Sequence, residues 1–122
     1  MVTYRDLTVW QKSMTLARRI YEITTFYPEE ERFGLVSQMR RCSVSIPSNI
    51  AEGAGRNSDK ELLRFCLISQ GSLAELETQL LISAELDYIK SNNDIFEQLI
   101  TVRKILSGYI SYLNTKLTKQ ST

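Results

Sequence analysis

Hydrophobic residues recur every three to four positions through most of this chain, which is the spacing of amphipathic helices. Only two prolines and five glycines punctuate it, and no strand-like alternation competes. The pattern predicts four helices, at about residues 6–27, 28–55, 59–86 and 94–117. Because the connections are short, we expect an all-α, antiparallel up-down-up-down four-helix bundle, with residues 1–122 forming a single domain.

Local signals mark where these helices begin and end. Pro28 and the glutamates after it are typical of a first helical turn and predict the start of the second helix. Gly53 and Gly55 indicate its carboxyl-terminal cap and the following turn. Ser58 and Glu61 have the spacing of a capping box at the start of the third helix.

Two of the predicted helices carry more apolar surface than one core can bury. The apolar arc of the first helix is about 200° wide, against the stripe of about 100° that packing on a single core requires. The third helix has a second apolar stripe, which contains Leu63, Leu67, Ala74 and Leu81. A monomer would leave these side chains exposed, so the pattern predicts a homo-oligomer.

The second helix places a polar stripe directly beside its apolar one, whereas surface helices of monomers usually turn polar residues away from the core. A polar seam of this kind fits either a ligand cleft or an oligomer interface. The doubled apolar arcs favour the interface. The candidate residues of this interface or seam include charged neighbours on the second and third helices. They are Gln38, Arg40, Arg41, Ser45, Asn49, Glu52, Glu75 and Glu77.

Composition argues against an enzyme. The chain has no histidine, which excludes a histidine base, a Ser-His-Asp triad, a Cys-His dyad and histidine-ligated metals. Glu75 and Glu77 lie two positions apart on a helix, so their carboxylates point in different directions. We therefore expect no catalytic residues, no cofactor, no metal and no small-molecule substrate.

The cysteines and the amino terminus indicate a cytoplasmic protein. Cys42 and Cys66 lie on apolar stripes, as free core thiols do. The first residues are charged and lack the apolar region of a signal peptide, and no apolar run approaches the ~20 residues that a membrane span needs.

Basic residues are the best candidates for contacts with a partner, although the formal net charge is only +1. Arg56, Lys60 and Arg64 cluster around the connection between the second and third helices and are candidate RNA phosphate contacts. The alternative is ion pairing. For Arg40 and Arg41 we favour ion pairs within or between subunits, with partners among Glu52, Glu75 and Glu77.

The second helix also carries a motif. It contains the run G-L-x-x-Q-x-R-R, then S-I-x-x-N-I-A-E-G, then R, formed by Gly34, Leu35, Gln38, Arg40, Arg41, Ser45, Ile46, residues 49–53 and Arg56. With Asp6-Leu7, Val9 to Lys12 and the later Gly71-Ser72 and Glu75 to Glu77, this run closely resembles the four-helix bundle family of 23S ribosomal RNA intervening sequences.

The resemblance implies a helical bundle without enzymatic activity that assembles into a homo-oligomer, a five-membered ring in relatives. The same family includes strongly basic accessory proteins of diversity-generating retroelements, and the near-neutral charge of this chain departs from that pattern. Our first functional hypothesis is therefore a non-enzymatic homo-oligomer associated with RNA or other nucleic acid. The alternative is a protein-binding scaffold or accessory subunit that engages another polypeptide.

Overall fold

The computed structural model describes residues 3–120, and in this range the chain forms helices and no strands. The four helices are α1 (Thr8–Thr24), α2 (Leu35–Gly55), α3 (Asp59–Glu85) and α4 (Ile95–Gln120). Short 3-10 turns at Tyr4–Asp6 and Glu29–Glu31 precede α1 and α2. The predicted all-α, four-helix architecture is confirmed.

Two of the helix starts are fixed by side-chain caps. The Ser58 hydroxyl accepts a hydrogen bond from the Glu61 backbone N–H at 3.3 Å, which confirms Ser58 as the cap of α3. The return bond of the predicted capping box is absent from the described hydrogen bonds, and the Glu61 carboxylate binds Arg64 instead. At α4, the side-chain oxygen of Asn93 accepts from the backbone N–H of Ile95 at 2.9 Å. These caps satisfy amide groups that have no partner within the first helical turn.

The prediction that the second helix begins at Pro28 is wrong. The three glutamates after Pro28 form the 3-10 turn, and α2 begins only at Leu35. Gly34 separates the two, because its backbone (φ −105°, ψ −109°) lies outside the helical region. The glycines at the end of α2 also remain helical, and Asn57 (φ 55°) takes the left-handed conformation that follows it.

Each helix packs on two neighbours, in the cyclic order α1, α2, α3, α4. The contacts pair the end of one helix with the start of the next, as antiparallel neighbours do. For example, Gly53 near the end of α2 lies against Phe65 near the start of α3, whereas Met39 early in α2 contacts Ser83 late in α3.

The two ends of the bundle have different compositions. At one end, Tyr88 between α3 and α4 packs on Tyr27, at 5.2 Å between ring centroids, and donates a hydrogen bond to Glu31 at 2.8 Å. We call this the aromatic end. At the opposite end, Lys116 late in α4 pairs with Asp59 at the start of α3 at 3.0 Å. We call this the basic end.

One continuous hydrophobic core runs between the helices. Its largest fully buried side chains are Leu16, Ile20, Met39, Ile46, Ile50, Leu73, Leu76, Leu80, Ile95, Leu99, Leu106 and Leu113. Most of the second stripe of α3 is not part of this core, since Leu67, Ala74 and Leu81 are exposed, whereas Leu63 is partly buried and packs against it. Ile68 and Ile82 are also exposed. The chain by itself therefore leaves an apolar outer face on α3.

Candidate nucleic-acid interface and polar groove

The three predicted phosphate contacts come together at the basic end. Arg56 follows the last residue of α2, and Lys60 and Arg64 lie in the first turns of α3. A buried ring organises the two arginines: the guanidinium groups of Arg56 and Arg64 lie 5.3 and 4.4 Å from the ring centroid of Phe65. Cation–π contacts of this length hold both guanidinium groups over one surface.

Carboxylates already accompany the two arginines. Arg56 pairs with Glu52 at 3.2 Å, and Arg64 makes a bidentate pair with Glu61 at 3.0 and 3.2 Å. The hydrogen bond from Arg64, together with the nearby positive charges, lowers the pKa of the Glu61 carboxyl. Lys60 is exposed and makes no ion pair with any described residue. Both predicted roles, phosphate contact and ion pairing, thus remain open to these side chains.

Residues that are distant in sequence add to the charge of the basic end. The half of the bundle formed by residues 3–16, 46–71 and 108–120 holds seven basic and four acidic residues, a net charge of +3. The other half, residues 17–45 and 72–107, holds eight basic and ten acidic residues, a net charge of −2. Antiparallel packing brings Arg5, Lys12, Lys116 and Lys119 to the basic half. The near-neutral net charge of the chain is therefore the sum of a positively charged half and a negatively charged half.

Part of the polar seam forms a groove between α2 and α3 with a volume of about 320 Å³. We call it the polar groove, and it is lined by Gln38, Arg41, Cys42, Ser45, Ser72, Glu75 and Gln79. The hydroxyl groups of Ser45 and Ser72 lie 2.8 Å apart and join the two helices. The Cys42 thiol donates to the Ser72 carbonyl oxygen at 2.9 Å.

Several polar groups of this groove lack partners. Gln79, a residue the sequence did not suggest, is only 8% exposed, and its side-chain oxygen makes no hydrogen bond in the described part of the chain. Arg41 and Glu75 face the same groove without pairing with each other. A buried polar group without a partner costs free energy, so the Gln79 oxygen is a position that a further donor would satisfy, whereas Arg41 and Glu75 are exposed to water.

The Cys42 thiol should be protonated at neutral pH. Burial, followed by the negative charge of Glu75, raises the pKa of Cys42 to about 11. Burial also raises the pKa of Cys66 to about 11. Both thiols are free and buried, as predicted.

The structure corrects the polar seam at Arg40. Its Nε donates to the hydroxyl of buried Thr24 at 3.0 Å, and its guanidinium group lies 4.7 Å from the ring centroid of Tyr21. Arg40 therefore faces α1, whereas Arg41 faces the polar groove. The physical reason is that successive residues on a helix point about 100° apart.

The predicted ion pairs of the seam do not form within the chain. Glu77 pairs with Arg103 of α4 at 2.7 Å, and Glu52 pairs with Arg56. Among the described ion pairs, none joins Arg40 or Arg41 to a carboxylate. Pairing between subunits stays a prediction.

Asn49 lies further along the same seam and is partly buried. Its side-chain nitrogen donates to the Ser45 carbonyl oxygen at 2.8 Å and to the Ser45 hydroxyl at 3.0 Å. Because Ser45 also contacts Ser72, Asn49 supports the link between α2 and α3.

Residues 3–120 contain no group of three or more acidic, cysteine or histidine side chains that could hold a metal ion. None of the described helices combines the length and apolar character that a membrane crossing requires.

Comparison with known proteins adds the family. No curated protein matches the chain. The family model described as 23S rRNA-intervening sequence protein matches residues 5–108, which include all of α1, α2 and α3 and the first half of α4. This match covers most of the chain and includes the motif on α2. The chain therefore belongs to the 23S rRNA-intervening sequence protein family.

Proposed function

We propose that this protein is a cytoplasmic, non-enzymatic homo-oligomer that associates with RNA through its basic end. The observation that supports this proposal is the convergence of Arg56, Lys60 and Arg64 on one surface of the positively charged half. The family description, which refers to intervening sequences of 23S rRNA, supports RNA as the nucleic acid.

The chemistry of the basic end suits a phosphate backbone. A guanidinium group presents a planar set of donors that matches phosphate oxygens, and Arg56 and Arg64 are held in place by the Phe65 ring. Glu52 is exposed and the Glu61 side chain is 35% exposed, so both ion pairs are open to solvent and a phosphate can compete for the guanidinium groups. Such contacts read shape and charge more than base sequence.

Oligomerisation supplies the affinity that one small cluster lacks. The outer face of α3 exposes Leu67, Ile68, Leu81 and Ile82, and an added Cβ on Gly71 would meet no atom within 4 Å. Burial of this face and of the neighbouring polar groove against other copies would remove apolar surface from water. A ring, of five copies as the resemblance implies, repeats the basic cluster, and linked sites raise avidity by ~10²–10⁴.

The test measures RNA affinity as a function of salt concentration. In the wild-type assembly, each neutralised phosphate should contribute roughly 0.7–0.9 to the slope of log K against log salt. The triple variant Arg56→Ser, Lys60→Ser, Arg64→Ser should bind RNA more weakly with a flatter slope. A charge-matched control, Arg18→Ser, Arg32→Ser, Lys90→Ser, removes exposed cations from the other half of the bundle. It should bind like the wild type, provided both variants keep the wild-type mass.

Absence of salt-dependent RNA binding by the wild type, even at low ionic strength, would refute the RNA association. The protein scaffold would then be the better hypothesis. Equal losses in the triple variant and its control would show that general charge, rather than the basic end, controls binding.

A further inference from the structure

Two phenylalanines stand out on the connection between α1 and α2. Phe26 and Phe33 are each 88% exposed, more than any other large apolar side chain of the described residues. Their surroundings are acidic, since exposed Glu29 and Glu30 lie between them in sequence. Arg32 lies over the Phe33 ring at 5.3 Å but also pairs with Glu29 at 3.6 Å. The chain therefore presents aromatic rings to solvent beside negative charge, at its aromatic end.

A complementary groove lies between the start of α1 and the second half of α4. It has a volume of about 410 Å³ and is mostly apolar. An added Cβ on Gly108 would meet no atom within 4 Å, so this glycine leaves the groove open. We call it the α1–α4 groove, and its apolar and aromatic lining consists of Leu7, Val9, Ile105, Gly108, Tyr109 and Tyr112.

The charged residues that border this groove are basic, opposite in sign to the glutamates near the phenylalanines, although its lining contains one carboxylate. Asp6 is the one charged residue in its lining. Lysines lie one helical turn from three lining positions: Lys12 follows Thr8, Lys104 precedes Gly108, and Lys116 follows Tyr112. Lys116 is paired with Asp59, which leaves Lys12 and Lys104 as exposed cations without an ion pair among the described residues. Positive charge thus borders an apolar groove.

One copy cannot fill its own groove with its own phenylalanines. Phe26 and Phe33 follow the carboxyl end of α1, whereas the groove lies at the amino end of the same helix. The helix has 17 residues and is therefore about 25 Å long at 1.5 Å per residue. The two surfaces can meet only between different molecules.

We propose that the α1–α2 connection of one copy docks into the α1–α4 groove of a second copy, with the phenyl ring of Phe26 or Phe33 inserted beside Gly108. This rests on the homo-oligomer of the proposed function and adds a contact that is distinct from burial of the outer face of α3. The contact joins two different surfaces, so it repeats head to tail and closes into a ring when the rotation between copies allows. Burying an aromatic ring supplies apolar area, and the opposite charges orient the approach.

The first experiment fills the groove without removing any contact. Gly108→Leu adds a side chain where the structure has open space and replaces a poor helix former, so the helix should remain folded. Gly55→Leu is the matched control, because Gly55 also lies inside a helix with open space around it, but at the end of α2. Gly71→Leu is a separate variant that tests the outer face of α3. The readout is mass against protein concentration, measured by sedimentation or light scattering, with helix content measured by circular dichroism.

We expect Gly108→Leu to lower the average mass at a given concentration. The double variant Phe26→Ser, Phe33→Ser should do the same, and combining it with Gly108→Leu should add little, because all three changes remove one contact. Wild-type mass for both Gly108→Leu and the phenylalanine variant would overturn the inference. If Gly71→Leu is the only variant that dissociates the assembly, copies associate through α3. That result would support the proposed homo-oligomer and refute the contact in the α1–α4 groove. A wild-type protein that is monomeric at every concentration would refute both the homo-oligomer and the contact in the α1–α4 groove.

A cross-linking experiment identifies the contact directly. A chain carrying Phe33→Cys is mixed with one carrying Gly108→Cys under mild oxidation with oxidised glutathione. The native thiols are buried and have pKa values of about 11, so the introduced thiols should react first. We expect a disulfide-linked dimer of the two different chains, and the same for Phe26→Cys if that ring is the inserted one. Cross-linking no faster than with Gly55→Cys as the partner, for both positions, would overturn the inference.

Discussion

A Cβ atom on Gly53 would lie 2.7 Å from the Cβ atom of Phe65 and 3.1 Å from the Cα atom of Leu62. The end of α2 and the start of α3 therefore meet at a distance that only glycine permits. The same close approach sets Phe65 beneath the guanidinium groups of Arg56 and Arg64. A packing requirement of the bundle thus positions the candidate phosphate contacts.

Gly53→Ala should destabilise the protein despite the better helix propensity of alanine. Overpacking of a tight contact costs typically 1–3 kcal/mol, against a propensity gain of up to about 1 kcal/mol. Urea unfolding measures the net change in free energy. Gly71→Ala is the control, since its Cβ meets no atom within 4 Å and should leave stability equal or higher. Equal stability of the two variants would contradict the close approach at Gly53.

Arg40 and Arg41 are neighbours in sequence but should respond differently to replacement by methionine. Arg40→Met loses the hydrogen bond to Thr24 and the contact with the Tyr21 ring, together worth about 1–2 kcal/mol of unfolding free energy. Arg41→Met loses no contact within the described chain, so its monomer stability should be near that of the wild type. Mass measurements should instead change for Arg41→Met if the polar groove lies in an interface. The opposite pattern would mean that the two side chains had been assigned to the wrong surfaces.

Asn49→Leu should alter assembly more than helix content. The substitution removes both hydrogen bonds to Ser45, each worth about 0.5–1.5 kcal/mol, beside the contact between Ser45 and Ser72. Light scattering and thermal unfolding measure the two effects. Asn114→Leu on the exposed surface of α4 is the matched control and should change little. An unchanged mass and thermal midpoint in Asn49→Leu would indicate that this amide has no structural role.

Stability should fall as the pH rises above about 8.5. Burial raises the pKa of Cys42 and of Cys66 to about 11, above the value of roughly 8.5 expected in the unfolded chain. Between these values the unfolded state loses protons that the folded state keeps, so the stabilisation is complete below about pH 8.5 and is lost as the pH rises towards 11. Burial raises the pKa of Tyr27 and Tyr109 as well, with the same sign.

The cysteine contribution can be separated by substitution. Urea unfolding of the double variant Cys42→Ala, Cys66→Ala should show a smaller loss of stability between pH 7 and pH 10 than the wild type. Because each alanine also removes buried volume, the comparison concerns the change with pH and not the absolute stability. Identical pH dependence in both proteins would show that the two thiols do not titrate differently on unfolding.

The sequence determined the helices because their signals are local. Hydrophobic spacing and the cap at Ser58 involve residues within a few positions of each other, and each appears in the structure. The hydrophobic pattern also predicted the excess apolar surface of α3, where Leu67 and Leu81 are exposed. The error at Pro28 arose because the glutamates favour a helix start, whereas the backbone of Gly34 interrupts it.

Tertiary structure decided which surface each polar residue joins. Arg40 meets Thr24, Glu77 meets Arg103, and Gln79 comes to line the polar groove, although nothing near these residues in sequence indicates those neighbours. The basic half likewise depends on antiparallel packing, which brings Lys116 to Asp59. Helix periodicity fixes the angle of a side chain about its own axis. Only the packing of helices distant in sequence fixes what that side chain faces, because burial of the shared core sets how the helices are rotated against one another.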